Sequence, residues 1–312
     1  MTKMATRDAY GKALIELGRK NKEIVVLDAD LSKSTKTVGF AQEFPRRFFN
    51  IGIAEADMIS TAAGFAVAGK IPFASTFAVF ATGRAYDQVR ASVAYPALNV
   101  KIAATHAGLT VGEDGATHQM NEDIALMRVM PNMTVIVPAD GPEARAATFA
   151  AAEHKGPVYL RLGRPGVPVI PQLDGRFELG KGIVLEEGDD VAIFACGYMV
   201  HVALEAWTQL KERGISAAVI NMHTIKPLDK DLVVEYARRC KRVVTAEEHS
   251  IYGGMGGAIA EVLSETYPVP VRRIGVQDTF GESGKPAELM EKYGLTAQSI
   301  VEEASKLCKD NS

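Results

Sequence analysis

Short β-branched runs alternate with longer amphipathic segments along the chain, and this alternation constrains the fold more than any other feature. The strand-like runs of the first half lie at residues 23–28, 100–105, 133–137 and 158–162. Helical patterns lie between them, near residues 7–20, 55–68, 82–94, 120–130 and 141–153. Strands that alternate with helices predict βαβ units, and therefore a largely parallel, doubly wound sheet. The order of the strands is not readable from these signals.

The alternation lapses between residues 163 and 182, where prolines and glycines are frequent. Such a stretch predicts an interdomain linker that runs over the surface. A second series of the same kind follows, with strands at 191–195, 217–221, 242–246 and 271–275 and helices near 199–212, 229–238, 254–266 and 297–307. We therefore expect two doubly wound α/β domains, at residues 1–165 and 183–312, joined by a linker at residues 166–182.

The composition excludes several classes of protein. The chain has 312 residues and a net charge of −3, with no basic block that would indicate a nucleic-acid partner. No apolar run reaches the roughly 18 residues of a membrane span, and the first residues lack the apolar core of a secretory signal. Three widely spaced cysteines fit neither a disulfide framework nor a zinc site. A cytoplasmic protein is the expectation.

The densest polar cluster of the sequence is a loop that runs from Thr105 to Gln119. It contains His106, His118, an acid pair at residues 113 and 114, and three glycines. The loop follows a predicted strand and precedes a helix, which is the edge of a parallel sheet where ligands bind. Packing alone does not explain so many polar groups in one loop, so we interpret the loop as functional.

Three other segments also follow predicted strands, and each has a structural interpretation beside a functional one. Glu55 begins an Ala/Gly-rich helix, where an acid is favoured by the helix dipole. Phe77 and Phe80 are spaced to share one helical face, either in a core or against a flat heterocycle. Asp30 lies in a polar loop that either caps a helix or contributes to a site. The residues alone leave these alternatives open.

The combination of motifs resembles the transketolase family. The segments NIGIAEADM, STFAVF, THAGLTVGEDGATHQ, PNMTVIVPADGPE and EEHSIYGGMGGAIAEVL occur in the order of that family and span nearly the whole chain. The most specific of them is GEDGATHQ. The resemblance implies a thiamine-diphosphate pyrimidine-binding domain at residues 1–165, followed by a transketolase C-terminal domain at residues 183–312. It also implies transfer of a two-carbon ketol unit from a ketose phosphate to an aldose phosphate.

The resemblance assigns the cofactor contacts. Glu55 would hydrogen-bond the aminopyrimidine of thiamine diphosphate from an apolar setting that Ile53, Phe77 and Phe80 provide. Asp30 matches a position near the thiazolium side of the cofactor. Since the hydrogen bond from the carboxylate would activate the cofactor, Glu55 is one predicted catalytic residue.

The resemblance also assigns the substrate contacts. His106 and His118 match histidines that face the substrate, donate hydrogen bonds and transfer protons, and they are the other predicted catalytic residues. Asp114 matches an acid that contacts a sugar hydroxyl. The groups assigned to the terminal phosphate of the acceptor are those of Arg7, Ser34 and Arg164. An ordinary surface charge is the alternative for Arg7, and Arg161 is the alternative phosphate contact to Arg164.

A motif that full-length members carry is not recognisable in this sequence. It is the Gly-Asp-Gly…Asn motif that binds the metal and the cofactor diphosphate, and no other set of hard oxygen ligands for Mg or Ca stands out. The resemblance therefore predicts a separate N-terminal transketolase subunit that holds the metal. The expected assembly is a heterotetramer, α2β2, with the cofactor at the interface of the two chains. Sugar phosphates are the expected substrates, with no nucleic-acid or membrane partner.

Departures from the family pattern leave the sugar preference open. Gly83 replaces a common aromatic, and the triplets at 106–108 and 54–56 read His-Ala-Gly and Ala-Glu-Ala. One alternative is the β subunit of a 2-oxoacid dehydrogenase E1, against which the histidine-rich loop argues. Another is a deoxyxylulose-phosphate synthase-like carboligase, which the GIAE and RAYDQ segments favour. A non-catalytic subunit is the third, and the presence of Glu55 with both histidines argues against it.

Overall fold

A computed structural model describes residues 3–309 of the chain. The strands are β1 (Lys3–Ala5), β2 (Ile24–Asp28), β3 (Phe48–Asn50), β4 (Ile71–Phe77), β5 (Lys101–Thr105), β6 (Thr134–Ile136), β7 (Val158–Arg161), β8 (Gly166–Pro168), β9 (Ile183–Glu186), β10 (Val191–Ala195), β11 (Ala217–Asn221), β12 (Thr224–Lys226), β13 (Val243–Ser250) and β14 (Val271–Val276). The helices are α1 (Thr6–Lys20), α2 (Ser32–Thr35), α3 (Val38–Glu43), α4 (Glu55–Val67), α5 (Tyr86–Gln88), α6 (Asp123–Val129), α7 (Gly141–Glu153), α8 (Met199–Glu212), α9 (Lys230–Cys240), α10 (Met255–Thr266), α11 (Pro286–Lys292) and α12 (Ala297–Lys309).

Two parallel sheets dominate the fold. The first has the order β12-β6-β7-β5-β4-β2-β3, and the second has the order β14-β13-β10-β11-β9. Within each sheet one edge strand is antiparallel, β12 in the first and β9 in the second. A short ribbon of β1 and β8 completes the pairing. The alternation of strands and helices in the sequence is therefore realised as predicted, and the two doubly wound α/β units confirm the predicted fold class.

Both faces of each sheet are buried, which explains the continuous apolar runs of the strands. Along β2, Val25 and Leu27 face one core cluster, whereas Ile24 and Val26 face another. The first of these clusters also takes side chains from the second sheet, among them Phe194. One apolar layer therefore lies between the two sheets and belongs to both.

The second half of the chain also contributes a strand to the first sheet. Thr224 of β12 lies opposite Ile136 of β6, and the backbone N–H of Val137 donates to the carbonyl of His223 at 2.7 Å. The segment at 166–182 is less exposed than the predicted surface linker, because Ile170 and Leu173 are buried. The two predicted units therefore share one sheet, and the division at residues 166–182 stays a prediction.

A charged network lies between the two halves. The Arg161 guanidinium donates to both carboxylate oxygens of Asp123, at 2.7 and 3.1 Å, and to the carbonyl of Glu248 at 2.9 Å. The Glu248 carboxylate accepts from the backbone N–H of Thr110 at 2.6 Å. Each of these buried charges is paired or hydrogen-bonded, as buried charges require.

The glycines at 253–257 allow close packing at the start of α10. The carboxylate of Glu247 accepts from the backbone N–H groups of Met255 and Gly256, at 2.7 and 2.8 Å. A side chain of β13 therefore caps the start of α10. A Cβ at Gly254 would lie 2.2 Å from that carboxylate.

Among residues 3–309 no helix has the length and apolar character needed to cross a membrane.

Candidate active site

The carboxyl ends of three neighbouring strands form the floor of the candidate site. Ser75 of β4 lies opposite Asp28 of β2, and Phe77 lies opposite Thr105, the last residue of β5. The segments that follow these strands therefore leave the sheet at the same edge. That edge is where parallel α/β sheets place their ligands.

The loop that follows β5 is held in place from both halves of the chain. Gly108 has φ of 77°, and a Cβ there would lie 2.2 Å from Glu248, so glycine is required by backbone angle and by space. Gln119 donates to the carbonyls of Gly112 and Glu282, at 3.2 and 2.9 Å. The Gln of the GEDGATHQ segment thus fixes the loop against the second half.

Each histidine of the loop is oriented by the threonine before it. Thr105 Oγ1 lies 2.9 Å from Nδ1 of His106, and Thr117 Oγ1 lies 2.9 Å from Nδ1 of His118. Since each Nδ1 is engaged in this way, each Nε2 is the ring nitrogen that is left to face a neighbour or a ligand. The Thr-His pair is a local signal that can be read from the sequence.

His106 is neutral in this environment. Its ring is buried, and its Nε2 lies 3.0 Å from Nη1 of Arg7. A guanidinium only donates, so Nε2 of His106 accepts and Nδ1 carries the proton. Burial, followed by the charges of Arg7, Arg164 and Lys36, lowers the pKa of His106 to about 3. The residue is therefore an uncharged imidazole across the physiological pH range.

Aromatic rings connect His106 to the other histidine. The ring of Phe77 stacks on His106 at 3.8 Å between centroids and on Phe80 at 5.8 Å. The ring of His118 meets Phe80 edge-on at 5.5 Å. The two phenylalanines therefore form one wall that carries both imidazoles.

Glu55 lies at the start of α4 with its side chain only 1% exposed. Both carboxylate oxygens accept from Nη1 of Arg84, each at 2.9 Å. The Arg84 guanidinium also lies 4.2 Å from the centroid of the Phe80 ring, a cation–π contact. The setting of Glu55 is thus buried, as expected, but it includes a cation as well as apolar groups.

The residues assigned to a phosphate lie on the other side of His106. Nη1 of Arg7 donates to the carbonyl of Ser34 at 3.0 Å. Arg164 donates to the carbonyl of Val111 and lies 3.6 Å from the carboxylate of Asp114. The structure therefore brings Arg7, Ser34 and His106 into contact, and it pairs Arg164 with Asp114.

Three candidates stand apart from this group. Ile53 is 78% exposed, because it follows Gly52 (φ of 81°) on a turn that points outward. Asp30 is exposed and pairs with Asn50, whose Nδ2 lies 3.0 Å from Oδ1 of Asp30. Arg161, the alternative phosphate contact, is buried in its pairing with Asp123 and is structural. The cofactor contacts assigned to Ile53 and Asp30 stay predictions.

Arg84 is the residue that the sequence analysis missed as part of the site. It follows Phe80 by four residues, a spacing that places both on one helical face, so its contact with that ring could have been predicted. Its pairing with Glu55 spans 29 positions and depends on the tertiary fold.

Within residues 3–309, no group of three or more His, Cys, Asp or Glu side chains is arranged to hold a metal ion.

Comparison with known proteins gives the same family for both halves. The model of the transketolase pyrimidine-binding domain matches residues 2–169, and that of the transketolase C-terminal domain matches residues 180–300. A protein of Methanocaldococcus jannaschii, named for a transketolase C-terminal section, is 53% identical over 95% of this chain and 93% of its own length. A 6-deoxy-6-sulfo-D-fructose transketolase subunit of a Clostridium species is 47% identical over 96% and 94%.

Solved structures agree with this assignment. One that is described as a split-gene transketolase in an inactive beta4 tetramer has a TM-score of 0.92 and 60% identity, and it covers 98% of each chain. Both family models occur in order, and these relatives align over nearly the full length. We conclude that this chain belongs to the transketolase family, as the pyrimidine-binding and C-terminal part of a split enzyme.

Proposed function

We propose that the chain is one subunit of a thiamine-diphosphate enzyme that transfers a two-carbon ketol unit between a ketose phosphate and an aldose phosphate. The observation that carries this proposal is the continuous row of side chains at one sheet edge. It begins at the buried carboxylate of Glu55 and runs through the Phe80–Phe77 wall to His106 and Arg7. Successive contacts thus connect a proton-handling carboxylate, a flat apolar wall, an imidazole and a guanidinium.

The residues at the Glu55 end fit the aminopyrimidine of thiamine diphosphate. This ring needs a hydrogen-bond partner for a ring nitrogen and an apolar surface for its face. Glu55 supplies a buried carboxylate, and Phe80 supplies an apolar ring face. That face can hold a planar group, because the Arg84 guanidinium lies over it at 4.2 Å from the ring centroid. When bound, the cofactor supplies the electron sink that breaking a carbon–carbon bond next to a carbonyl requires.

The chain's own residues would act on protons and orientation. Glu55 would hold a proton at the ring nitrogen of the aminopyrimidine, in a setting from which water is excluded. His118 would hydrogen-bond the reacting oxygen of the sugar. His106, which is neutral and carries its proton on Nδ1, would accept one hydrogen bond from a substrate hydroxyl through Nε2 once Arg7 turns to the phosphate. Asp114 would bind a sugar hydroxyl.

We further propose that a second, N-terminal subunit completes the site and holds the divalent metal, in an α2β2 assembly in the cytoplasm. Three observations support a partner. The described residues offer no cluster of metal ligands, and Ile53, next to the site, exposes an apolar side chain. A related split-gene transketolase is described as inactive in the form of a beta4 tetramer. A partner subunit that covers Ile53 would place it at the interface where the cofactor binds, which is the contact that the family pattern assigns to Ile53.

The test is reconstitution. The purified chain should show no ketol transfer alone, with thiamine diphosphate and magnesium present. Addition of an N-terminal subunit that carries the Gly-Asp-Gly…Asn motif should restore transfer between phosphosugars and produce a heterotetramer in light scattering. Strong activity of the single chain would contradict the need for a partner.

The same reconstituted pair distinguishes the alternatives by their substrates. Turnover of pyruvate with an aldose phosphate would indicate a deoxyxylulose-phosphate synthase-like carboligase, and acyl transfer to a lipoyl group would indicate a 2-oxoacid dehydrogenase. Because one relative is a transketolase subunit for a sulfonated sugar, sulfonated and phosphorylated ketoses should be compared as donors.

A further inference from the structure

An open groove continues from the active site along the start of α1. It encloses about 680 Å³ and begins at Arg7 and Arg164. Most of its charged lining is basic, and the charged side chains are those of Lys3, Arg7, Asp8, Lys12, Lys36 and Arg164. A concave surface with several cations and one acid is suited to an anion.

Lys36 is brought to this groove at a conformational cost. It follows α2 with φ of 71°, a left-handed conformation that is uncommon for a lysine. Gly11 of α1 admits its backbone, because a Cβ at Gly11 would lie 2.6 Å from the carbonyl oxygen of Lys36 and 2.7 Å from its Cβ. Strain of this kind persists where the surrounding structure imposes it, and it is concentrated at functional sites.

The cations of the groove are incompletely satisfied. Nζ of Lys36 lies 3.3 Å from Oδ1 of Asp8, an ion pair that is about one-third exposed. Nε of Arg7 is buried and has no hydrogen-bond partner among the described residues. The pKa of the nearby His106 is lowered in part by Arg7, Arg164 and Lys36, so the fields of all three cations reach the same point.

The two arginines do not carry a free double positive charge. Burial lowers the pKa of Arg7, although the nearby Asp8 carboxylate opposes this shift, and Arg164 lies 3.6 Å from the carboxylates of Glu113 and Asp114. The two acids beside Arg164 offset its charge as seen from the groove. Lys36, turned from its partly exposed pair with Asp8 toward a bound anion, would supply the second charge that a doubly charged anion needs and a singly charged anion does not.

We propose that Lys36 is a specificity-determining residue that makes this groove select a dianionic phosphate over a monoanionic sulfonate at the end of a sugar. The proposal rests on the proposed function in taking the groove as the place of the acceptor's terminal anion. The arginines would supply paired hydrogen bonds to either anion, whereas Lys36 would act as a point charge that senses the second negative charge. A phosphate monoester is mostly dianionic above pH 7, and a sulfonate is not.

The experiment uses the full chain without cofactor or partner, so ketol transfer is not its readout. Binding of inorganic phosphate, sulfate and methanesulfonate is measured by calorimetry at pH 8 and low salt for four proteins. They are the wild type, Lys36→Gln, Lys36→Arg and the control Lys33→Gln, whose exposed lysine does not line the groove. Circular dichroism melts check that each variant is folded.

Lys36→Gln should weaken phosphate and sulfate about fivefold and methanesulfonate less than twofold, since the lost contact is partly exposed. Lys36→Arg should keep the discrimination, and Lys33→Gln should leave all three affinities unchanged. Gly11→Ala gives a second route, because it displaces Lys36 without removing its charge and should reproduce the loss. An equal loss for all anions, or no phosphate binding by the wild type, would overturn the proposal.

Ribose 5-phosphate distinguishes the two sources of a phosphate. If the groove holds the end of a sugar, this compound should bind more tightly than inorganic phosphate and should lose affinity in Lys36→Gln. Binding no tighter than that of inorganic phosphate would indicate a free-phosphate site and overturn the sugar assignment. These affinities do not depend on ketol transfer, because they are measured without cofactor or partner. Failure of the proposed function and failure of this proposal can therefore be told apart.

Discussion

Nη1 of Arg84 lies 2.9 Å from each carboxylate oxygen of Glu55, so a half-exposed arginine neutralises a carboxylate that is almost completely buried. The same guanidinium covers the ring of Phe80. A Cβ at the adjacent Gly83 would meet no atom within 4 Å, so there is open space next to Arg84. Arg84 thus lies across the place proposed for the aminopyrimidine, and a bound cofactor would share Glu55 with it or displace it.

The ion pair itself can be measured in the isolated chain. We expect Arg84→Ala to lower the free energy of unfolding by about 1–3 kcal/mol, because it leaves a buried carboxylate without its hydrogen bonds. Glu55→Gln should remove most of this penalty in the double variant, and urea titrations of the four proteins measure the coupling. Arg90→Ala, at an exposed arginine six residues further along the chain, is the control. Additive losses would mean that the pair contributes nothing.

Glu55→Gln also tests catalysis in the reconstituted pair. Glutamine keeps the size of the side chain but cannot exchange a proton, so turnover should fall by about 10²–10⁴-fold or more, while cofactor affinity weakens moderately. Steady-state rates and fluorescence titration of the cofactor measure the two effects. Asp57→Asn, an exposed acid in the same first turn of α4, should retain turnover. Equal losses of turnover in both variants would indicate that Glu55 acts only as a charge at the helix terminus.

The two kinds of substrate contact should separate in their kinetics. Arg164→Ala would remove the charge-assisted contact proposed for the acceptor's terminal phosphate, so KM for phosphorylated acceptors should rise about tenfold and KM for glycolaldehyde should be almost unaffected. His118→Ala should instead lower kcat with both acceptors, since His118 would touch the reacting oxygen. Harm to both acceptor types from Arg164→Ala would indicate that its bond to Val111 is its main role.

Stability should fall with rising pH through one buried acid between the two halves. Glu143 accepts from Asn221 Nδ2 at 2.7 Å, and burial raises its pKa to about 8 from 4.5. The folded state therefore holds a proton that the unfolded state releases above pH 4.5, and the associated stability is lost as pH rises toward 8.

Glu143→Gln removes this titration. The stability of the variant relative to the wild type should increase by roughly 2–4 kcal/mol between pH 5 and pH 8.5, as measured by urea unfolding. Glu153→Gln, at an exposed acid on the same helix, should show no such trend. A difference that does not change with pH would mean that Glu143 is ionised throughout.

Local patterns in the sequence carried much of the fold and part of the site. Strand and helix periodicity placed β5, α4 and α7 within a residue or so, because their buried faces repeat regularly. The loop with His106 and His118 was predicted from its polar density, and the preceding threonines explain how each ring is fixed.

Features that depend on tertiary contacts were not predictable. The exposure of Ile53 is decided by the direction of a glycine turn, and the pairing of Arg84 with Glu55 by the approach of two distant segments. The predicted helix at 82–94 is instead a short α5 flanked by π-helical turns at Phe80–Arg84 and Val89–Ala94.

The strand that the second half lends to the first sheet has a consequence for synthesis of the chain. Until residue 226 has left the ribosome, β6 presents unpaired N–H and C=O groups at the sheet edge, with the apolar layer behind it uncovered. Open edges of this kind invite pairing with other chains. The nascent first half is therefore exposed to misassembly while some sixty further residues are translated, and chaperones that shield sheet edges would act during that interval.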